Sequence, residues 1–206
     1  MENLTPGRCF ALADANNSRL VTKPLKYGNW SNAVESSALV VGLMFLVAAA
    51  DHFLKLGLNA LGIIPRTLPG LLGIFFSPLL HLNGAHLLAN AFPLFVLLIL
   101  LFWDRKYHPI ETLVVIWLAS GLGTWLIGRG QSIHIGASAI IYGLVVYLIA
   151  AAFWMKRWRP ALVAIFVFVI YGGIFYGVLP QRGHVSWEGH LAGALAGWWT
   201  ARRNHG

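Results

Sequence analysis

Long apolar runs separated by short polar interruptions dominate the chain. The runs lie at 37–56, 87–103, 112–128, 138–154, 161–179 and 187–201, the last being short. A helix that crosses a bilayer needs about 20 mostly apolar residues, within a range of roughly 17–25. Strict alternation of apolar and polar positions is absent, which argues against a membrane barrel. Interruptions such as "WDRKYHPIE" and "MKRWRP" carry proline and charge, which suit turns outside the lipid. The pattern predicts an all-α polytopic membrane protein with six transmembrane helices in one domain, 37–201. A polar segment, 1–36, precedes it and a short tail, 202–206, follows. No internal repeat or low-complexity tract interrupts it.

The segment "TLPGLLGIFFSPLLHLNG" is apolar enough to suggest a seventh span. It contains Pro69, Pro78 and His81, and almost no loop joins it to the next run. Charge placement decides between the two topologies, because Lys and Arg collect on the cytoplasmic side. With six spans and the N-terminus inside, the inner side holds Arg8, Arg19, Lys23, Lys26, Arg105, Lys106, Lys156, Arg157, Arg159, Arg202 and Arg203. The outer side holds Lys55, Arg66, Arg129 and Arg182. A seventh span weakens that asymmetry. Six spans are therefore expected, with both termini cytoplasmic. The extra apolar segment becomes an outer loop, lying in the interface or dipping into the membrane.

Composition agrees. Of 206 residues, 58% are hydrophobic and 11% charged, more apolar surface than a soluble domain of this size needs. The net charge of +8 is read as a topology signal, and no nucleic-acid partner is expected. The single cysteine, Cys9, cannot form an internal disulfide. The first apolar run starts too late for the core of a signal peptide and is expected to be retained as a span. The location expected is an integral position in a membrane, the inner membrane of a prokaryote.

Topology then sorts the polar residues. The second, fourth and sixth spans all run from outside to inside, so their first turns share one depth. Those turns hold His86 and Asn90, then Ser138 and Tyr142, then His190. Polar side chains inside a membrane are costly and mark functional sites by default. His86 and Asn90 are four apart and share a helix face, as do Ser138 and Tyr142. Gly189, Gly193 and Gly197 form a stripe of small residues that permits close approach of a neighbouring helix beside His190.

A serine hydroxyl is a poor nucleophile until a base takes its proton, and histidine is the usual base. None of the seven acids is well placed to orient His190. Glu188 is two residues away and points elsewhere on a helix, and Asp51 is on another helix. A Ser138–His190 dyad is therefore favoured over a triad. An oxyanion needs donors, and Ser138 sits at a predicted helix start, where backbone N–H groups are unpaired. His86 and Asn90 can add side-chain donors, and Gly136 permits the tight turn that exposes those amides. Each residue also has a plain structural use. Ser138 can cap or pack a helix, His190 and Tyr142 can pack, and His86 with Asn90 can bond two helices. His81, His134 and His184 read as interfacial loop residues.

Three motifs together resemble the rhomboid family of intramembrane serine proteases. "HLLAN", with His86 and Asn90, is similar to the family's second-span H-x-x-x-N. "GASA", with Gly136 and Ser138, is similar to its G-x-S-G. "GHLAG" followed by Gly197 is similar to its sixth-span H-x-x-G-x-x-x-G, supplying His190 and Gly193. The resemblance covers roughly residues 37–201. It implies a six-helix rhomboid bundle in which Ser138 is nucleophile and His190 general base. His86, Asn90 and the Ser138 amide would form the oxyanion hole, and Tyr142 would pack on the histidine. Substrates would be transmembrane proteins cut near the outer face, with the lipid bilayer as medium and no cofactor. Two departures stand out: Ala139 replaces the usual glycine, and the Trp-Arg pair of the first outer loop is missing, the nearest arginine being Arg66 in "IIPRTL". The loop "VLPQRGHVSWEGH" is expected to be a mobile lid over the dyad. Two other readings stay open: a catalytically silent relative that binds transmembrane helices, and a His-rich metal-binding membrane protein. The second lacks any H-x-x-x-H or H-E-x-x-H spacing.

Overall fold

A computed structural model describes residues 29–181 and 185–206. Its helices are α1 (Trp30–Leu54), α2 (Leu68–Phe76), α3 (Gly84–Trp103), α4 (Pro109–Ile127), α5 (Ser138–Met155), α6 (Trp158–Tyr171) and α7 (Trp187–His205). Helices are the natural outcome for apolar spans, since lipid offers the backbone no hydrogen-bond partners. At 1.5 Å per residue, the 20 residues of α3 cover about 30 Å, the thickness of a hydrocarbon core. Among the described residues, five helical segments have the length and composition to cross a membrane: α1, α3, α4 with the turn before it, α5, and α6 with the 3-10 stretch Gly172–Val178 that extends it. The sixth, α7, is long enough at 19 residues but rich in glycine, alanine and charge. It packs between α4 and α5 and leaves only one side, with Leu195, Trp198 and Trp199, exposed.

The expected boundaries need correction at both ends of the domain. The first span begins at Trp30, not 37, because Asn29 caps it by accepting from the Ser31 amide. Ser31 also donates to Glu35 at 3.0 Å, which satisfies polar groups that made 29–36 read as non-helical. The rest of 1–36, residues 1–28, lies outside the described residues, as does Cys9. Residues 202–205 are not a free tail but the last turn of α7. Arg203 pairs with Glu111 of α4, Asn204 donates to Thr112 at 3.2 Å, and His205 lies 3.1 Å from the Tyr147 hydroxyl.

No seventh span forms. α2 has nine residues and is followed by a 3-10 turn, Ser77–Leu79, too short to cross. It lies against α4 on the end of the bundle where residues 55–83 and 128–137 meet. Trp117 and Trp125 of α4 donate to the carbonyls of Ile74 and Thr67, each at 2.8 Å. Arg66 donates to the carbonyls of Leu126 and Gly128, at the α4 terminus. The nearest arginine to the missing Trp-Arg pair thus braces the loop against α4. The core of the bundle is aliphatic, with Leu97, Leu98, Leu101, Leu144, Val145 and Leu148 fully buried.

Candidate active site

Site geometry begins with the approach of α7 to α5. A Cβ on Gly193 would collide with the Ala139 carbonyl, and one on Gly197 with the Gly143 carbonyl. Only glycine lets the two backbones come this close. The close approach faces the first turn of α7 toward the first turn of α5. His190 Nε2 then lies 3.0 Å from Ser138 Oγ.

The histidine is oriented by backbone. Its Nδ1 lies 2.9 Å from the Gly177 carbonyl, which can only accept. Nδ1 therefore carries the proton in the neutral ring, and Nε2 is left to accept from the serine hydroxyl. The Tyr142 ring stacks on the imidazole, with centroids 4.0 Å apart and planes within 10°. The hydroxyl of Tyr142 occupies the space that a side chain at position 177 would need. Sequence reasoning missed Gly177, and no signal there could have revealed it, because the functional group is a main-chain carbonyl.

Ser138 is the first residue of α5, as its sequence position predicts, and it does not cap the helix through its side chain. The amides of the first turn have no intrahelical partner. Gly136 precedes it with φ +107, a conformation that favours glycine. A Cβ there would lie 2.8–2.9 Å from the His86 ring and 3.7 Å from Asn90 Nδ2, so both side chains sit beside this turn. His86 Nδ1 accepts from the Leu82 amide at 3.4 Å, which leaves Nε2–H as a donor. Asn90 Nδ2 gives one hydrogen to the His86 carbonyl at 2.8 Å and keeps a second. His86, Asn90, Ser138, Tyr142 and His190 all line one cavity of about 1060 Å³. A second cavity of about 20 Å³ lies behind Ser138, beside Ser120, Thr124 and Ser186. It has room for one water.

His81 and His134 lie in loops, as expected, but are enclosed by protein. Both are buried, at 8% and 5% exposure. His134 forms an isolated antiparallel bridge with Ile63 and links Ser132 to Ser186 through its ring. Burial pushes its imidazole below the ordinary value of 6.5, with the Arg129 charge adding to this and the Glu188 charge opposing it. Burial, reinforced by His86, lowers His81 to about 4. Among the described residues, no group of three His, Cys, Asp or Glu side chains could hold a metal ion. Glu188 does point away from His190, but into an ion pair at 2.7 Å with the half-buried Arg129. His184, and the middle of the expected lid (182–184), lie outside the described residues.

Comparison with known proteins adds the family. Uncharacterized proteins of Mycobacterium bovis and Mycobacterium tuberculosis are each 37% identical over 184 residues, covering 85% of this chain and 77% of the relative. One of Mycobacterium leprae is 36% identical over 166 residues, covering 76% of this chain and 65% of the relative. No solved structure gives a significant match. The rhomboid domain model matches residues 69–204, a stretch that takes in all but the first residue of α2 and the last of α7, and every residue of the cavity just described. The chain is an integral membrane protein that belongs to the rhomboid family.

Proposed function

We propose that the protein is an intramembrane serine endopeptidase that cleaves transmembrane proteins through a Ser138–His190 dyad. The observation that carries this reading is the 3.0 Å contact from His190 Nε2 to Ser138 Oγ, with Nδ1 held on the Gly177 carbonyl. In this mechanism His190 takes the serine proton as Oγ attacks the scissile carbonyl. The imidazolium then returns the proton to the leaving amine. The Ser138 amide, His86 Nε2–H and the second hydrogen of Asn90 stabilise the oxyanion. Water from the cavity hydrolyses the acyl-enzyme, with His190 again the base. Gly136, Tyr142, Gly193 and Gly197 keep these groups in register. The rhomboid family consists in general of serine proteases, though it includes inactive members, and here both the serine and the histidine are retained.

The orientation we propose places both termini in the cytoplasm of a prokaryotic cell, with the dyad near the outer face. Arg105, Lys106, Lys156, Arg157, Arg159, Arg202 and Arg203 lie at the bundle end away from the dyad, which supports this direction. The test is cleavage of a single-span reporter in detergent or liposomes. Ser138→Ala and His190→Ala are expected to reduce cleavage to background without loss of fold. Their effects should not add, because nucleophile and base act as a unit. His86→Ala or Asn90→Ala should lower kcat by about 10²–10³, the typical effect of one oxyanion donor. Near-wild-type cleavage by Ser138→Ala sinks the protease assignment. A wild type that binds the reporter but never cuts it is a silent helix-binding relative.

A further inference from the structure

We infer that Arg129 and Glu188, whose side chains meet between the α4–α5 loop and the first turn of α7, are positioning residues for His190. The inference rests on the dyad proposed above. Glu188 is 1% exposed and precedes His190 by two residues. A carboxylate in such a place is costly unless a cation offsets it. Arg129 Nε lies 2.7 Å from Glu188 Oε1. Neither Glu188 oxygen accepts a hydrogen bond among the described residues, so charge attraction is what holds it there. The same guanidinium donates from Nη2 to the Val185 carbonyl at 2.6 Å. One side chain thus grips both Val185, just before the Ser186 N-cap of α7, and the first turn itself.

A second link runs in parallel. The Ser132 hydroxyl has one hydrogen and donates it to the Arg129 carbonyl at 2.6 Å. It must then accept from His134 Nε2–H, at 2.9 Å. His134 Nδ1 in turn accepts from the Ser186 hydroxyl at 2.5 Å. The Ser186 carbonyl accepts the His190 amide at 3.1 Å. Both links end on residues 185–190, through Val185, Ser186 and Glu188, and neither reaches Ser138. Their common effect is to hold the turn that carries the imidazole, so that its ring meets both Gly177 and Ser138. A displacement of about 1 Å at such a contact is enough to cost on the order of 10²-fold in rate.

The test compares wild type, Arg129→Ala, Arg129→Lys and Glu188→Gln in the same membrane mimetic. Three readouts are taken: kcat and KM on a single-span reporter, the rate of Ser138 labelling by a fluorophosphonate, and histidine-ring NMR. Arg129→Ala should lower kcat and labelling together by about tenfold or more, with KM within about twofold. Arg129→Lys should recover part of the loss, since it keeps the charge but not the forked donors. The hydrogen-bonded Nδ1–H signal of His190 should shift or broaden in Arg129→Ala. The NMR arm does not need an active enzyme. A silent wild type whose His190 signal still responds to Arg129 overturns the protease reading and keeps the positioning one. An active wild type with kcat unchanged in Arg129→Ala overturns the positioning role. So does a rise in KM alone, which would make Arg129 a substrate contact. If Glu188→Gln fails to fold, the two Arg129 variants decide.

Discussion

α6 and α7 invert the usual link between hydropathy and burial. α6 is almost wholly apolar, yet only 6% of its spanning stretch is buried, and Ile165, Phe168 and Val169 are exposed. α7 carries Glu188, His190, Arg202 and Arg203, yet it is the helix clamped between α4 and α5. In lipid, an apolar side chain gains little by leaving the solvent, so hydropathy alone gives α6 no drive toward the centre. Close packing of small residues and satisfaction of polar groups drive association there instead. The helix that reads as the poorest span is therefore the one that holds the base. α6, which reads as a strong span, reaches the dyad among the described residues through the Gly177 carbonyl in its 3-10 extension.

That contrast can be broken most severely on α7. Gly193→Leu puts a branched side chain against the Ala139 carbonyl, where backbone, not a rotamer, must yield. Overpacking typically costs about 1–3 kcal/mol, and here it also separates His190 from Ser138. Cleavage should fall to background and Tm should drop in micelles. A variant with normal Tm and activity would show that the α5–α7 contact is not tight.

The single link from the α6 side is the next target. Gly177→Ala drives a methyl into the Tyr142 hydroxyl and against His190. Turnover should fall on the order of 10²-fold, while Tm changes little, since few residues of α6 are buried. Equal losses in Tm and kcat would mean that the segment has a structural role of its own.

A smaller effect is expected from pH. His134 anchors Ser186 at the start of α7, and burial holds its pKa below 6.5. The unfolded chain therefore takes up a proton first as pH falls. The stability from neutral His134 is present above about pH 6.5 and is lost as pH falls below that value toward the folded-state pKa. Tm should decline as pH falls below about 6.5, and His134→Gln should make that decline shallower. An unchanged slope in the variant would remove His134 from the account. The smallest effect belongs to the lipid face of α6. Val169→Ile and Phe168→Leu should each shift stability by no more than about 0.5 kcal/mol. A larger loss at either would mean that this face is packed against something.

Much was legible in advance. Ser138, His190, His86 and Asn90 could be brought to one depth from span direction alone, and their separations of four residues put partners on shared faces. Gly193 and Gly197 announced a close helix contact. What misled was local polarity. Asn29, Ser31 and Glu35 read as non-helical because their capping and i,i+4 bonds are invisible without coordinates. The burial of His81 and His134 was hidden for the same reason: their loops fold back onto the bundle.

By itself the chain determined that it lies in a membrane, how many times it crosses, and which side chains share a depth, because lipid imposes these through length, charge and helical period. Only the tertiary structure decided how the base is held. The Gly177 carbonyl and the Val185 carbonyl have no sequence signature, since every residue carries the same group. The pairing of Arg129 with Glu188 joins positions far apart along the chain. A buried acid demands a cation, but which cation answers depends on the packing of loops, and that is a matter of distances in space.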